Sequence, residues 1–378
     1  MTGRIRVFLT DVNRVLPTNE PTSWSVVLRG LVQGLEACDR TSLLHISYGT
    51  EDERDMTAHD VEIAVGNPIQ WTPGRAPRRY IMVAPNASRL PEQVTQALVS
   101  KLTPSASDAP FRGCILTPSS FAEQAIARSI DEEQAQPIVT LVVPHGIQTG
   151  MRKAAPGPVG LGLWDGKRPI SLLHIASSQS ERKGTDAFLT ALTKFTRADV
   201  CHADGSPSIM VAVVCTVPGI ASQYADKHAY LSEVGALTIV DSSVARHPHE
   251  QSYARYLRCD AVIHPSAYEG FGLVPLEALS VGTPCFVSPI ERSYSYPGLH
   301  CMIPADACVT TAAPSTVGGH KGTWVRYSQA SLLKFFDTLV STDLLARMQT
   351  DALASAQAVQ QEWSWMRKTR SLFLDIVG

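Results

Sequence analysis

No two cysteines in this sequence form a C-x-x-C pair, and no apolar run approaches the ~20 residues needed to span a bilayer. Neither sign of charge dominates. The 33 lysines and arginines face 35 aspartates and glutamates, leaving a net charge of -2. That balance argues against a chain that coats nucleic acid or an acidic membrane by bulk charge, and does not bear on a local basic patch. No D-x-D triplet occurs, and no metal is expected. There is no short-period repeat and no low-complexity tract. The opening MTGRIRVFLTDVN runs straight into a strand pattern, without the regions of a secretory leader. The eight cysteines, at 38, 114, 201, 215, 259, 285, 301 and 308, include several inside apolar runs such as IMVAVVC and PCFVS. They read as reduced, buried thiols of a cytoplasmic protein.

What is present is enough apolar material for more than one core. The chain has 378 residues, 44% of them hydrophobic, and lengths above about 250–300 residues usually divide into domains. Short β-rich runs alternate with helical patterns: IRVFLT, LLHISY, VEIAV, YIMVA, CILTP and IVTLVVP in the first half. A stretch rich in glycine and proline, without period, marks a linker within 148–169. The pattern then restarts with ISLLHIA and the helix GTDAFLTALTKF, which puts Phe188, Leu189, Leu192 and Phe195 on one face. SIMVAVVC, LTIVD, AVIHPS and PCFVS follow, apolar enough for parallel strands buried on both faces. The fold class is therefore α/β, with two Rossmann-like doubly wound domains at 1–155 and 168–358. A ligand is expected at the carboxyl ends of strands, in a cleft between them. Residues 306–323 read as a long loop.

One segment concentrates the chemistry: HPSAYEGFGLVPLEALSVGTP, residues 264–284. A strand ends in a glycine-rich turn that leads into a short helix, with Pro275 near its first turn and Gly282 as its stop. Backbone amides of Gly270, Phe271, Gly272, Leu273 and Val274 are placed at a helix N-terminus, which attracts phosphate. Glu277 is expected in the first turn, where an ionised carboxylate accepts hydrogen bonds from a vicinal diol such as a ribose. Glu269, at the other end of the phosphate site, is expected to face hydroxyls of a sugar.

Glu269 and Glu277, set in this string, closely resemble the E-x7-E signature of family 4, the retaining nucleotide-sugar glycosyltransferases of the two-Rossmann (GT-B) fold. The resemblance covers most of the chain and is strongest in the second half. LLHIASSQSERKGTDAFLTAL is similar to the family's diphosphate-binding strand, basic turn and helix, with Arg182 and Lys183 before Gly184 as the basic pair. Ser177 and Ser178 stand where relatives carry an arginine, which leaves Lys183 the stronger candidate. VVPHGI resembles the end of the first domain, with Gly146 facing the cleft. The first domain matches weakly: Asn86 and Ser88 replace an acidic residue, and DVNRVLPTNEPTSWS replaces a glycine pair. Asn86, Ser88 and Asp11 are the acceptor-side candidates. The final residues, 359–378, suit the family's last helix, packing back on the first domain.

The resemblance implies transfer of a sugar from a nucleoside-diphosphate sugar, UDP- or GDP-linked, to a hydroxyl of a small molecule, lipid or glycan. Configuration is retained and no metal or other cofactor takes part. Lys183 and Arg182 stabilise the leaving diphosphate, and Glu269 orients the donor sugar. Three alternatives stay open. A DNA glycosyltransferase acting on hydroxylated bases is one, suggested by the basic cluster GRAPRR at 74–79. A sugar-nucleotide epimerase and an inactive nucleotide-sugar-binding module are the others. His45, His145 and His264 read as structural.

Overall fold

The computed structural model describes the chain except for residues 1–3, 12–22, 50–58, 75, 85–89, 104–111, 131–137, 178–179, 199–201, 203, 218, 242–248, 290–302, 304–306 and 313–320. It divides into two compact units: Met1–Ile147, Thr311–Gly322 and Glu362–Gly378 in the first, Gln148–Thr310 and Thr323–Gln361 in the second.

The first unit runs β1 (Ile5–Asp11), α1 (Ser23–Cys38), β2 (Leu44–Gly49), β3 (Val61–Val65), β4 (Arg78–Met82), α2 (Glu92–Leu102), β5 (Arg112–Thr117), α3 (Ser120–Ile130) and β6 (Val139–Val142). Its strands form one parallel sheet in the order β2-β1-β3-β4-β5-β6. The central strands are short apolar runs such as VEIAV, all five residues of which are buried. Burial on both faces explains why they lack the alternation of a half-exposed strand.

The second unit runs β7 (Ile170–Ala176), α4 (Ser180–Lys183), α5 (Thr185–Arg197), β8 (Ile209–Cys215), α6 (Ile220–Lys227), α7 (Ala229–Glu233), β9 (Leu237–Asp241), α8 (His249–Leu257), β10 (Ala261–His264), α9 (Leu273–Ser280) and β11 (Cys285–Val287). Its sheet is also parallel, in the order β11-β10-β7-β8-β9. The predicted face of α5 is the buried one: Phe188, Leu189 and Leu192 are fully covered and Phe195 nearly so. Phe188 meets Phe336 edge-on, with ring centroids 5.6 Å apart.

Three expectations are corrected. Residues 148–169 are no free linker but a strap clamped onto the second unit, which begins at Gln148, so the first unit's core segment ends at Ile147 and not at 155. Lys153 donates to the Cys259 carbonyl at 3.0 Å, and Trp164 N–H to Gln349 Oε1 at 3.0 Å. Arg168 forks onto buried Asp260 at 2.6 and 2.7 Å. The strap has no period because single anchors, not a repeating face, hold it. The loop expected at 306–323 contains β12 (Ala307–Ala312), paired with β13 (Lys321–Arg326) in a two-stranded ladder, while 313–320 lie outside the described residues.

The last correction concerns the C-terminus. After α10 (Gln329–Ser341), α11 (Leu344–Glu362) stops, and two short helices follow, α12 (Trp365–Lys368) and α13 (Arg370–Val377). Ser364 is extended (φ -62°, ψ 144°), which breaks the single helix expected over 359–378. These helices dock on α1 because Gly30 and Gly34 leave room: a Cβ on Gly30 would lie 2.0 Å from the Trp365 ring, and one on Gly34 2.4 Å from Thr369 Oγ1. Tyr80 Oη donates to Asp375 Oδ2 at 2.7 Å, and Arg112 pairs with the other oxygen at 2.8 Å.

Cys38, Cys114, Cys215, Cys259 and Cys285 are free thiols. Burial pushes Cys114 and Cys259 up to about 12, so neither is a poised nucleophile. Among the described residues no helix is long and apolar enough to cross a membrane.

Candidate functional site

In the second sheet β7 pairs with both β8 and β10, so the chain winds outward through β8 and β9 and then reverses to β10 and β11. The carboxyl ends of β7 and β10 therefore flank a topological switch point, the place where open parallel sheets bind ligands. The segments that leave these two strands are the two that the sequence singles out. They are fastened together by backbone: Ala267 N–H donates to the Arg182 carbonyl at 2.6 Å. Gly184 turns with φ +68° between α4 and α5, and a Cβ there would stand 2.0 Å from the Pro265 carbonyl oxygen. Only glycine allows this approach of the two loops.

Three charged side chains meet at this junction. Lys183 Nζ lies 2.6 Å from Glu269 Oε1, and Arg182 Nη1 lies 3.0 Å from the same oxygen. Arg182 also donates to the Tyr268 carbonyl at 3.1 Å. Ser266 Oγ is 2.7 Å from Glu269 Oε1, and His264 Nε2 is 3.3 Å from it. Arg182, Glu269, His264 and Ser266 are all buried. Burial works against ionisation of Glu269, but Lys183 and Arg182 overcome it and hold the carboxyl well below its usual range. Burial lowers Lys183, and Glu269 opposes that shift. His264 is lowered by burial, with Glu269 acting against it. Two cationic side chains thus share one carboxylate in a largely dry setting, which favours an additional anion.

Behind the cluster His174 fixes the start of α5. Its Nδ1 is 3.0 Å from the Ile263 carbonyl and therefore carries the proton; Nε2 then accepts from Thr185 Oγ1 at 2.8 Å. Burial drops His174 to about 3, so it is neutral.

Glu277 lies on the other side of the glycine turn. Gly272 caps α9 in the left-handed region (φ 82°), and Leu273 is the first helical residue. Glu277 is therefore fifth in the helix, in the second turn and not the first, so it gains less from the helix dipole than the sequence spacing suggested. A hydroxyl fixes it instead: Tyr256 Oη donates to Glu277 Oε2 at 2.8 Å. Gly282 (φ +83°) closes the helix as expected, with Gly282 N–H on the Leu279 carbonyl and Thr283 N–H on the Ala278 carbonyl.

The structure brings Arg182, Lys183, Glu269, Gly270, Phe271, Gly272, Leu273, Val274 and Glu277 into one region of the second unit. Glu269 is buried and serves as the counter-ion of the basic pair. Arg182 faces the loop that carries Glu269, a contact its position in SERK does not reveal. Gly146 belongs to the first unit, where a Cβ would lie 2.6 Å from Trp365 Cα, so this glycine makes room for a tryptophan. Asp11 ends β1 opposite Val65, its side chain outside the described residues, as are Asn86 and Ser88. In the basic cluster, Arg78 Nη1 donates to the Ile376 carbonyl and Arg79 Nε to that of Ala76. Those arginines serve the fold of the first unit. Among the described residues no group of three or more histidine, cysteine, aspartate or glutamate side chains is arranged to hold a metal. Sequence reasoning missed Ser266 and Tyr256. Ser266 precedes Glu269 by three residues, and Tyr256 stands 21 residues before Glu277.

Residues 209–295 match the family model described as glycosyl transferases group 1. No curated protein matches the chain by sequence. Among solved structures, sucrose-phosphate synthase from Thermosynechococcus elongatus is similar over 99% of each chain, at 13% identity and a TM-score of 0.58. WaaG, a glycosyltransferase involved in lipopolysaccharide biosynthesis, is similar over 98% of this chain and 99% of its own, at 13% identity and a TM-score of 0.57. The pneumococcal O-GlcNAc transferase GtfA, in complex with UDP and GlcNAc, covers 84% of this chain and 57% of its own at 9% identity and a TM-score of 0.50. The two parallel-sheet α/β units have the GT-B glycosyltransferase fold, and the stretch from β8 to just beyond β11, both glutamates included, is similar to the glycosyl transferases group 1 family.

Proposed function

We propose that this protein is a retaining glycosyltransferase that moves a sugar from a nucleoside-diphosphate sugar to a hydroxyl acceptor without a metal. One observation carries the reading: Arg182 and Lys183 converge on the single carboxylate of Glu269 at the sheet's switch point, beside the turn that opens α9. Two cations against one carboxylate suit a diphosphate, whose charge grows as the glycosidic bond breaks. Lys183 takes the leaving-group charge. Glu277 accepts from the ribose hydroxyls. Once the diphosphate has engaged the lysine, Glu269 orients the donor sugar. The E-x7-E resemblance supports retention, with the acceptor attacking the face the diphosphate leaves. GtfA, which shares the fold, is in complex with UDP, which supports a UDP- or GDP-sugar as the donor. The acceptor is a small molecule, lipid or glycan.

The test is titration of nucleoside diphosphates and the parent nucleosides by calorimetry, with wild type and Lys183→Ala. The variant should lose about tenfold or more in affinity for the diphosphate, since a charge-assisted hydrogen bond contributes about 1.5–3 kcal/mol. Its affinity for the nucleoside should hold. Equal diphosphate affinity in both proteins would refute the role of Lys183.

A further inference from the structure

Tyr256 and Tyr253 sit one helical turn apart on α8, and both are almost fully buried. Their rings meet edge-on at 6.0 Å and 80°. Tyr256 Oη donates to Glu277 Oε2 at 2.8 Å. The backbone of Tyr256 is pinned as well: its carbonyl accepts from Thr283 Oγ1 at 2.7 Å and from Cys259 Sγ at 3.4 Å. Tyr253 Oη accepts from Gln148 N–H at 3.2 Å, which holds the helix against the first residue of the strap. Burial, then Glu277, raises Tyr256 far above the ordinary phenol range, so the hydroxyl keeps its proton and remains a donor.

We infer that Tyr256 is the positioning residue that makes Glu277 a selective reader of the donor's ribose. This rests on the nucleotide-sugar reading above and adds to it a residue that does not touch the donor. A carboxylate on a single side-chain stem rotates freely about its last bond. Anchoring Oε2 to a rigid, doubly pinned tyrosine fixes the plane of the carboxylate and commits that oxygen to the protein. The direction of Oε1 follows, and a diol is read well only by a carboxylate of fixed orientation. Orientation is what distinguishes a ribose from a 2′-deoxyribose; mere negative charge beside the sugar would not.

The experiment compares calorimetric affinities for UDP and 2′-deoxy-UDP, and for GDP and 2′-deoxy-GDP, in the full chain. Wild type should favour the ribose form by about tenfold or more, as expected for a hydrogen bond to a charged group. Tyr256→Phe should bring that ratio towards one by weakening the ribose form alone. Tyr253→Phe removes the hydroxyl that accepts from Gln148 on the same helix, keeps the Tyr256 hydroxyl on Glu277 Oε2, and should leave the ratio intact. In the Glu277→Gln background, Tyr256→Phe should change the ratio no further. Thr283→Val, a milder change that frees the Tyr256 carbonyl, should move the ratio in the same direction by less, and it carries the test should Tyr256→Phe fail to fold. A merely structural Tyr256 would weaken both nucleotides equally, and that result, or an unchanged ratio, overturns the inference. Wild type that binds no nucleoside diphosphate overturns the donor reading and this inference with it; wild type that binds both sugars equally overturns the ribose role of Glu277 alone and, with it, the role of Tyr256.

Discussion

Lys183 Nζ and Arg182 Nη1 both contact one atom, Oε1 of Glu269, at 2.6 and 3.0 Å. The carboxylate stands where the neighbouring cations need negative charge, so it holds the basic pair in place and competes with any diphosphate for Lys183. Glu269→Gln keeps the shape and removes the charge. Breaking a buried pair by neutralising one partner costs about 3–5 kcal/mol because the other charge stays buried. The thermal unfolding of the second unit should therefore shift down. Pyrophosphate should restore more of the lost stability in the variant than it adds to wild type, and diphosphate affinity should be kept or improved while sugar transfer is lost. Parallel loss of diphosphate affinity and transfer would show that Glu269 does not act as the counter-ion.

The same buried chemistry sets an acid limit on the fold. Burial lowers His145 in the first unit and His174 in the second to about 3. A histidine whose folded pKa is depressed contributes stability that is complete above its unfolded value, about 6.5, and is lost as pH falls towards 3. Between those values the unfolded chain binds more protons, so stability must fall on acidification. At pH 5 each histidine should cost about 2 kcal/mol relative to pH 7. Glu269, held low, adds its own loss only below about pH 4.3. Urea unfolding midpoints measured from pH 7.5 to 4.5 should decline from about pH 6.5 downward, and His174→Gln should flatten the decline in the second unit. A midpoint level down to pH 5 would contradict the buried neutral state of both residues.

The two sheets, the helix face of Phe188, Leu189, Leu192 and Phe195, and the glycine stop at 282 were legible because each follows from a local period or a local backbone demand. That the Lys183 turn and the Glu269 turn share one end of the sheet was legible, since both follow apolar strands that a parallel sheet must bring near each other. The partner of each was not. Glu269 could not be read as a counter-ion from its neighbours in sequence, because the cations that claim it are 86 and 87 residues away. The strap over 148–169 was misread for a related reason: Arg168 finds Asp260 across 92 residues, and no period marks such a contact. Glu277 moved from the first to the second helical turn because the left-handed Gly272, and not Pro275, sets where α9 begins.

Two glycines that the sequence places near the donor give the sharpest contrast between site and scaffold. A Cβ on Gly184 would sit 2.0 Å from the Pro265 carbonyl oxygen in a backbone already at φ +68°, and neither atom belongs to a side chain that could rotate away. Gly184→Ala must therefore pry the Lys183 turn from the Glu269 loop, with about 1–2 kcal/mol of left-handed strain added to the clash. A Cβ on Gly146 would lie 2.6 Å from Trp365 Cα, inside the first unit. That substitution must loosen the C-terminal helices from the body of the first unit. Gly184→Ala should cut nucleoside-diphosphate affinity by tenfold or more, about 1.4 kcal/mol or above. Gly146→Ala should lower the melting temperature of the first unit and leave that affinity within about twofold, a difference below 0.5 kcal/mol. Calorimetry paired with thermal melts separates the two. Loss of diphosphate affinity in Gly146→Ala at an unchanged melting temperature would return that glycine to the donor site and refute the packing role given to it by Trp365.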